Sequence, residues 1–287
     1  MKIVIQGTKG SYHHQAAAKF FAEDATDLLE VESFKKVAQT IYKLQADYGL
    51  IAIENTIAGT ILPNYSLISK YDLKIVGEVH LPIQHQLMAL PGTKFEDIVE
   101  IQSHPMAILQ CDQFLEHHSN IRIVETSDTA TTAKRISEQN IQNVAAIAST
   151  LSADLYGLEI IKPNIQTFEK NFTRFFVVAK EASTPNKFDK ASILFTTPHQ
   201  SGSLASILNE LVYLNINMEK IQSVPIMDKP WDYAFHVDIS FDDMEDFHLL
   251  MKRIELKTNY LKILGQYKKE NKADCQLKTQ ENHSIIL

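Results

Sequence analysis

Residues 1 to about 180 alternate short apolar runs with amphipathic stretches, and this alternation limits the possible folds more than any other feature of the chain. Strands that alternate with helical segments are typical of α/β domains built on parallel sheets. The predicted strands of this part are 2–6, 49–53, 74–79, 85–90, 121–125, 144–148 and 174–178. The chain has 287 residues, which is about the length at which a single hydrophobic core stops growing. We therefore expect more than one unit.

Short polar motifs follow these predicted strands, at the starts of predicted helices. Ser11 and Ser127 are expected to cap helices, and Pro105 is expected in a first helical turn. The carboxyl ends of strands in open α/β sheets bind ligands, and the N–H groups at helix starts attract anions. The sequence therefore predicts a site for a small molecule that carries carboxylates.

A hydroxyl and a guanidinium stand side by side at the start of one apolar strand, where residues 171–177 read Asn-Phe-Thr-Arg-Phe-Phe-Val. Neighbouring residues on a strand point to opposite faces of the sheet. Thr173 and Arg174 therefore cannot both face the core, and we expect one of them to face a cleft.

The pattern changes after a polar run that contains proline, residues 181–187, which is predicted to be a linker. Strands are predicted at 192–196 and 261–264, and residues 233–239 alternate with a period of two, as in a half-buried strand. With two helical stripes, the order βαββαβ over about 75 residues predicts a ferredoxin-like unit. The expected division is 1–181, 190–268 and a polar, mobile tail at 269–287.

Composition excludes several classes of function. A net charge of -7 argues against nucleic-acid binding, and the chain lacks the long apolar stretch of a membrane span. Two cysteines, Cys111 and Cys275, allow neither a disulfide framework nor a paired-cysteine metal site. The histidine pairs at 13–14 and 117–118 lack the spacing of metal ligands, so we expect no metal or other cofactor. The chain enters a strand directly, without a signal peptide, and we expect a cytoplasmic protein.

Five motifs in order resemble those of the prephenate dehydratase family. They are Gly-Thr-Lys-Gly-Ser-Tyr-His-His-Gln-Ala at 7–16, Ile-Glu-Asn-Thr at 53–56, Ser-His-Pro at 103–105, Thr-Ser-Asp-Thr-Ala at 126–130 and Asn-Phe-Thr-Arg-Phe at 171–175. The later unit, with Gly-Ser-Leu-Ala at 202–205, resembles an ACT domain. The resemblance implies a two-lobed catalytic domain of the periplasmic-binding-protein type, followed by a ferredoxin-like regulatory domain. It also implies one reaction, in which prephenate loses carbon dioxide and water to give phenylpyruvate.

The resemblance implies roles for the polar residues of these motifs. Thr173 is expected to donate a hydrogen bond to the C4 hydroxyl of prephenate as that group leaves. Arg174 is expected to hold the pyruvyl carboxylate, and a structural ion pair with Glu54 or Asp128 is the alternative. His104 is a catalytic candidate that can act as a general acid, orient Thr173 or bind substrate, and the alternative is a histidine that caps or packs at a helix start. The other expected substrate contacts are Ser11, Asn55, Thr56, Ser103, Ser127, Thr129 and Phe175, of which Ser127 and Thr129 are also helix-capping candidates.

A regulatory site for L-phenylalanine is also implied, at Gly202, Ser203, Leu204 and Ser223 on a subunit boundary. Residues 222–225 read Gln-Ser-Val-Pro, where the family usually has Glu-Ser-Arg-Pro, so both charges of that motif are absent. We therefore expect weak phenylalanine binding, in a homodimer or homotetramer.

Two other functions stay open from the sequence. One is the dehydration of arogenate, the aminated analogue of prephenate. The other is a non-catalytic module that binds an anionic small molecule. A passive binder has no need of a hydroxyl beside an arginine, so Thr173 favours an enzyme.

Overall fold

The computed structural model describes residues 1–21, 27–226 and 232–270. Most of the predicted tail therefore lies outside the described residues. The strands are β1 (Lys2–Gln6), β2 (Asp27–Val31), β3 (Tyr48–Asn55), β4 (Gly59–Thr60), β5 (Lys74–Pro82), β6 (Gln86–Ala89), β7 (Glu100–Ser103), β8 (Arg122–Glu125), β9 (Val144–Ala148), β10 (Glu159–Lys162), β11 (Phe172–Ala179), β12 (Lys190–Thr196), β13 (Asn217–Pro225), β14 (Tyr233–Ser240) and β15 (Tyr260–Tyr267). The helices are α1 (Tyr12–Phe21), α2 (Phe34–Tyr42), α3 (Leu62–Lys70), α4 (Pro105–Gln110), α5 (Asp112–Glu116), α6 (Thr129–Glu138), α7 (Thr150–Tyr156), α8 (Ser203–Tyr213) and α9 (Met244–Glu255).

The larger sheet has the strand order β13-β14-β12-β15-β5-β11-β3-β1-β2, with β4 beside β3. β1 runs parallel to β2 and β3, whereas β11 runs antiparallel to both of its neighbours, β3 and β5. The sheet is thus mixed, where the sequence predicted a parallel one. Because β11 is antiparallel, its first residues lie beside the last residues of β3, and both strand ends reach the same edge.

A second sheet, β10-β6-β9-β7-β8, forms a separate lobe. Its core contains apolar side chains of β6, β7, β9 and α4, among them Leu87, Ile101, Ala107 and Ile147, all of them buried. The two sheets confirm the predicted two-lobed α/β architecture for the part of the chain from β1 to β11, here called the first unit.

The elements β12-α8-β13-β14-α9-β15, here called the second unit, have the predicted βαββαβ order. Their strands continue the larger sheet, because β15 pairs in parallel with β5 at Gly265 and Ile75. A Cβ atom at Gly265 would overlap the backbone oxygen of Ile75. Only glycine permits the two strands to approach so closely.

β14 differs from the predicted half-buried strand. Val237 and Ile239 lie in the core of the second unit, as the alternation indicated. The other face is buried as well, including His236, Asp238 and Ser240. The sequence pattern marks His236 and Asp238 as polar, but both contact the first unit, where the His236 ring packs on Tyr65 and Asp238 pairs with Arg174. Among the described helices, none has the length and apolarity needed to cross a membrane.

Candidate active site

A cleft of about 400 Å³ opens between the two lobes of the first unit. This volume falls within the range of small-molecule sites. The cleft is lined by Gln6, Ser11, Tyr12, His13, Phe34, Ala52, Asn55, Ala58, Ile61, Ile83, His85, His104, Met106, Ala107, Gln110, Ser127, Asp128, Thr129, Thr173 and Phe175. Seven of the predicted site residues are among them, namely Ser11, Asn55, His104, Ser127, Thr129, Thr173 and Phe175.

Thr173 and Asn55 lie opposite each other at the adjoining ends of β11 and β3. The Asn55 side-chain nitrogen donates to Thr173 Oγ1 over 3.0 Å and to Asn171 Oδ1 over 2.8 Å. The Asn55 oxygen accepts the backbone N–H groups of Ile57 and Ala58, both at 2.9 Å, which fixes the orientation of the amide. Since the Thr173 oxygen accepts a hydrogen bond from Asn55, its own proton is left to be donated elsewhere.

Neutral polar groups continue from this pair to the other wall of the cleft. Gln110 Oε1 accepts from Asn171 over 2.8 Å and lies 2.8 Å from Nε2 of His85. The Tyr12 hydroxyl lies 2.8 Å from Nδ1 of the same ring. Burial lowers the pKa of His85 to about 4, so the ring is neutral at neutral pH. The chain of contacts holds Thr173 in place without introducing a charge.

His13 is a second neutral imidazole in the cleft wall. Its ring centre lies 5.0 Å from that of Phe175 and 5.3 Å from that of Phe34. The Nε2 atom is buried and has no hydrogen-bond partner among the described residues. Burial lowers the pKa of His13 to about 4. Tyr12 and His13 lie in the first of the five motifs, but neither they nor His85 and Gln110 were predicted as site residues.

Helix capping accounts for several predicted residues that line the cleft. Ser11 caps α1 by accepting the N–H of His14 at 3.3 Å, as predicted. His104 caps α4, since its Nδ1 accepts the N–H of Met106 at 3.1 Å. A neutral His104 ring therefore carries its proton on Nε2. His104 both caps a helix and lines the cleft, so the two interpretations of this residue are compatible.

The sequence analysis predicted Ser127 as the cap of α6, but the cap is Asp128. The Asp128 carboxylate accepts the N–H of Thr131 at 2.8 Å. The strand before α6 ends at Glu125, and the extended residue directly before the helix is Asp128. The Ser127 hydroxyl is thereby left exposed at the cleft.

Arg174 does not line the cleft, and the prediction that it holds a substrate carboxylate is wrong. Its guanidinium is buried on the opposite face of the sheet, where Nε lies 2.8 Å from Glu78 and Nη1 lies 2.5 Å from Asp238. Burial by itself lowers the pKa of Arg174, but the Asp238 and Glu78 carboxylates raise it by more than burial lowers it, so the net change is upward. The predicted ion pair therefore exists with partners other than Glu54 and Asp128.

Two further predicted contacts also lie outside the cleft. Ser103 is fully buried, and its hydroxyl donates to the backbone oxygen of Ile147 at 2.6 Å. The Thr56 hydroxyl joins two backbones, since it donates to Lys170 O over 3.2 Å and accepts from the Phe172 N–H over 3.0 Å. Both hydroxyls are used by the fold, because each lies where a backbone group needs a partner.

The electrostatic character of the cleft follows from these placements. Among the described residues that line it, there is no lysine or arginine, and the carboxylate is that of Asp128. An anionic ligand finds hydroxyl, amide and imidazole groups in this lining, together with the positive end of α1, whereas the start of α6 is already capped by the Asp128 carboxylate.

A second cavity, of about 1160 Å³, lies in the second unit. Gly202, Ser203 and Leu204 line it at the start of α8, and Gly202 has a φ of 84°, in the left-handed region that glycine tolerates. Ser223 is exposed on β13 and does not line this cavity, so within one chain it is separate from the other three predicted residues.

Comparison with known proteins places these features in a family. Residues 3–183 match the family model "Prephenate dehydratase". The bifunctional chorismate mutase/prephenate dehydratase of Aquifex aeolicus is 34% identical over 271 residues, covering 94% of this chain and 74% of that protein. Arogenate dehydratase/prephenate dehydratase 1 of Arabidopsis thaliana is 35% identical over 285 residues, with coverages of 93% and 72%.

The solved structure of a prephenate dehydratase from Arthrobacter aurescens, in complex with L-Phe, has the same fold. It superposes with a TM-score of 0.84 at 24% identity and covers 94% of this chain and 90% of that one. The family match extends over both lobes and over the strand that carries Thr173. The chain belongs to the prephenate dehydratase family.

Proposed function

We propose that this protein converts prephenate to phenylpyruvate, carbon dioxide and water, with Thr173 as the residue that assists the leaving hydroxyl. The observation that carries the proposal is the Asn55–Thr173 hydrogen bond at 3.0 Å, in a cleft that lies between two lobes. This bond directs the Thr173 proton away from Asn55, and the cleft is the open space beside it.

The reaction needs few catalytic groups because its driving force lies in the substrate. The bond from C1 to its carboxylate breaks and releases carbon dioxide, and the electron pair moves into the ring. The C4–oxygen bond breaks at the other side, and the ring becomes aromatic. Negative charge develops on the leaving oxygen, where Thr173 donates a hydrogen bond. A preorganised donor of this kind is worth about 2.7 to 4 kcal/mol. The departing hydroxide then takes a proton to become water.

The lack of a lysine or arginine among the described residues that line the cleft suits the loss of carbon dioxide. A lysine or arginine beside the C1 carboxylate would stabilise the substrate more than the transition state, in which that charge disperses. The pyruvyl carboxylate does not react, and it can be held by Ser11, Ser127 and Thr129 at the starts of α1 and α6. The departing hydroxide takes up one proton that comes from solvent, and His104, which is exposed and lines the cleft, can relay it.

The test is incubation of the purified protein with prephenate, following phenylpyruvate by the absorbance of its enolate in base. Turnover supports the proposal. Binding of prephenate without turnover would favour the non-catalytic module instead.

Arogenate is the second candidate substrate. It carries an ammonium where prephenate carries a keto group, and Asp128 is a carboxylate in the cleft that can pair with an ammonium. Parallel assays with the two compounds separate the candidates, since arogenate yields phenylalanine and prephenate yields phenylpyruvate.

We also propose that the second unit is an ACT-type regulatory domain that binds L-phenylalanine in a homodimer or homotetramer. The larger cavity offers the start of α8 for a carboxylate and Asp232 for an ammonium, with Leu194 and Phe235 as apolar surface. The relative from Arthrobacter aurescens was solved with L-Phe. The cytoplasmic location and the domain limits stay predictions.

A further inference from the structure

The residues adjacent to Asn55 and Thr173 form a second cross-strand pair, of opposite charge. Glu54 lies opposite Arg174 in the register of β3 and β11, directly beside the pair that faces the cleft. Neither Glu54 nor Arg174 lines the cleft. Each of the two is bound by an ion-pair partner from the second unit.

Lys220 of β13 holds the first of these residues. Its ammonium lies 2.9 Å from Glu54 Oε1 and donates to Thr60 Oγ1 at 2.9 Å. Thr60 belongs to β4, which pairs with β3 at Glu54. One side chain of the second unit therefore fixes both strands of the hairpin that carries Asn55. Lys220 is mostly buried, and Glu54 is partly exposed.

Asp238 of β14 holds the other residue. One of its oxygens lies 2.5 Å from Arg174 Nη1, and the other accepts the Ser192 hydroxyl at 2.6 Å. Glu78 binds the far side of the guanidinium and also accepts from Lys190 at 2.7 and 2.9 Å. Because these groups are buried, Arg174 cannot shift without leaving a charge unpaired.

Strand geometry transmits this constraint to the cleft. Consecutive residues of a strand share a peptide unit and differ only in the face to which they point. Fixing Glu54 and Arg174 from the second unit therefore fixes the backbone positions of Asn55 and Thr173. A displacement of about 1 Å at reacting groups can cost on the order of a hundredfold in rate.

We infer that Glu54 and Arg174 are positioning residues for the Asn55–Thr173 pair, and that the second unit supplies the groups that hold them, Lys220 and Asp238. The inference rests on the proposed function of Thr173. It assigns to the second unit a part in catalysis that is independent of any effector.

The test is the variant Lys220→Met, with Lys262→Met as its matched control. Lys262 of β15 also forms an ion pair across the two units, with Asp72, but that pair lies at the start of β5 and away from the cleft. Both variants are expected to lower the thermal midpoint. Lys220→Met is expected to lower kcat for prephenate by about tenfold with little change in KM, because the displaced group acts on the leaving oxygen. Lys262→Met is expected to leave kcat unchanged.

Two further variants guard against a purely structural effect. Lys220→Arg keeps the charge and the reach and is expected to restore kcat, and Glu54→Gln is expected to resemble Lys220→Met. Equal losses of kcat in the Lys220→Met and Lys262→Met variants would overturn the inference, as would an unchanged kcat in Lys220→Met. A wild-type protein without turnover of prephenate would instead refute the proposed function itself.

Discussion

The two faces of β11 differ in chemistry although their residues alternate along one strand. The cleft face presents Thr173 and Phe175 among neutral hydrogen-bonded groups. The opposite face presents Arg174, bound to Glu78 and Asp238 in a charged cluster that is buried between the two units. The charged side chain of the strand thus holds the two units together, and its hydroxyl faces the cleft. A cleft that must expel a carboxylate benefits from this separation, because no cation of the cluster reaches it.

Substitution on the charged face is expected to have the largest effect. Arg174→Met leaves the Glu78 and Asp238 carboxylates buried beside each other without their guanidinium. Breaking a buried pair in this way costs about 3 to 5 kcal/mol of the free energy of unfolding. Urea unfolding of the variant beside the wild type measures the loss.

Arg174→Lys tests the same placement more gently. A single ammonium cannot reproduce the two-sided contact of the guanidinium, so stability falls while KM for prephenate is retained. A raised KM with unchanged stability would return Arg174 to the substrate site and remove the contrast between the faces.

Substitution on the neutral face is expected to change turnover instead of stability. Thr173→Val keeps the shape of the side chain and removes the donor. The activation free energy for kcat should therefore rise by about 2.7 to 4 kcal/mol, which lowers kcat. Thr56→Val is the matched control, because it removes a hydroxyl that lies outside the cleft. Steady-state kinetics with thermal unfolding separates the two effects. Normal turnover of Thr173→Val would show that the hydroxyl does not act on the leaving group.

Acid is expected to lower the stability of the protein, because buried histidines lie on both sides of the larger sheet. Burial lowers the pKa of His13 and His85 at the cleft, and of His236 on the opposite face, to about 4 in each case. The unfolded chain, with pKa values near 6.5, binds these protons first, so stability falls as the pH drops from about 6.5 towards 4. The loss is on the order of 2 to 3 kcal/mol per imidazole at the acid end of this range.

Chemical denaturation at pH 7 and pH 4.5 measures the slope. His236→Gln removes one of the three imidazoles and should make it shallower. Stability that does not change between the two pH values would mean that these rings are not held neutral by the fold.

The sequence predicted the parts of this arrangement that depend on neighbouring residues. The bounds of β1 and β9 agree with the predicted strands, and the opposite orientation of Thr173 and Arg174 follows from the alternation of a strand. The partners of Arg174 could not be predicted. Glu78 and Asp238 are 96 and 64 residues away in the chain, and their proximity depends on the order of strands in the larger sheet.

Other elements escaped prediction for related reasons. β2 and β7 are short, with charged and polar residues among the apolar ones, so neither stands out as a strand. The buried polar residues Gln110 and His85 have their partners on other elements, and no spacing along the chain indicates a pair. The five motifs that carry the family resemblance contain residues of both kinds. Only the three-dimensional structure distinguishes the residues that line the cleft from those that support it.

The smallest expected effect concerns the larger cavity and its influence on the cleft. L-phenylalanine is expected to bind weakly, because Gln222 and Val224 replace the charged residues usual in the family. At a ligand concentration about ten times Kd, one site stabilises the folded state by about 1.4 kcal/mol, which thermal unfolding detects. Since β14 carries Phe235 at the cavity and Asp238 at Arg174, a bound ligand that favours one arrangement of this strand can lower kcat in part.

Titration calorimetry with inhibition assays tests this, and Ser203→Trp, which fills the cavity, is the control. Tight binding would show that the missing charges are irrelevant, and the absence of binding by a monomeric protein would leave the second unit with its positioning role alone.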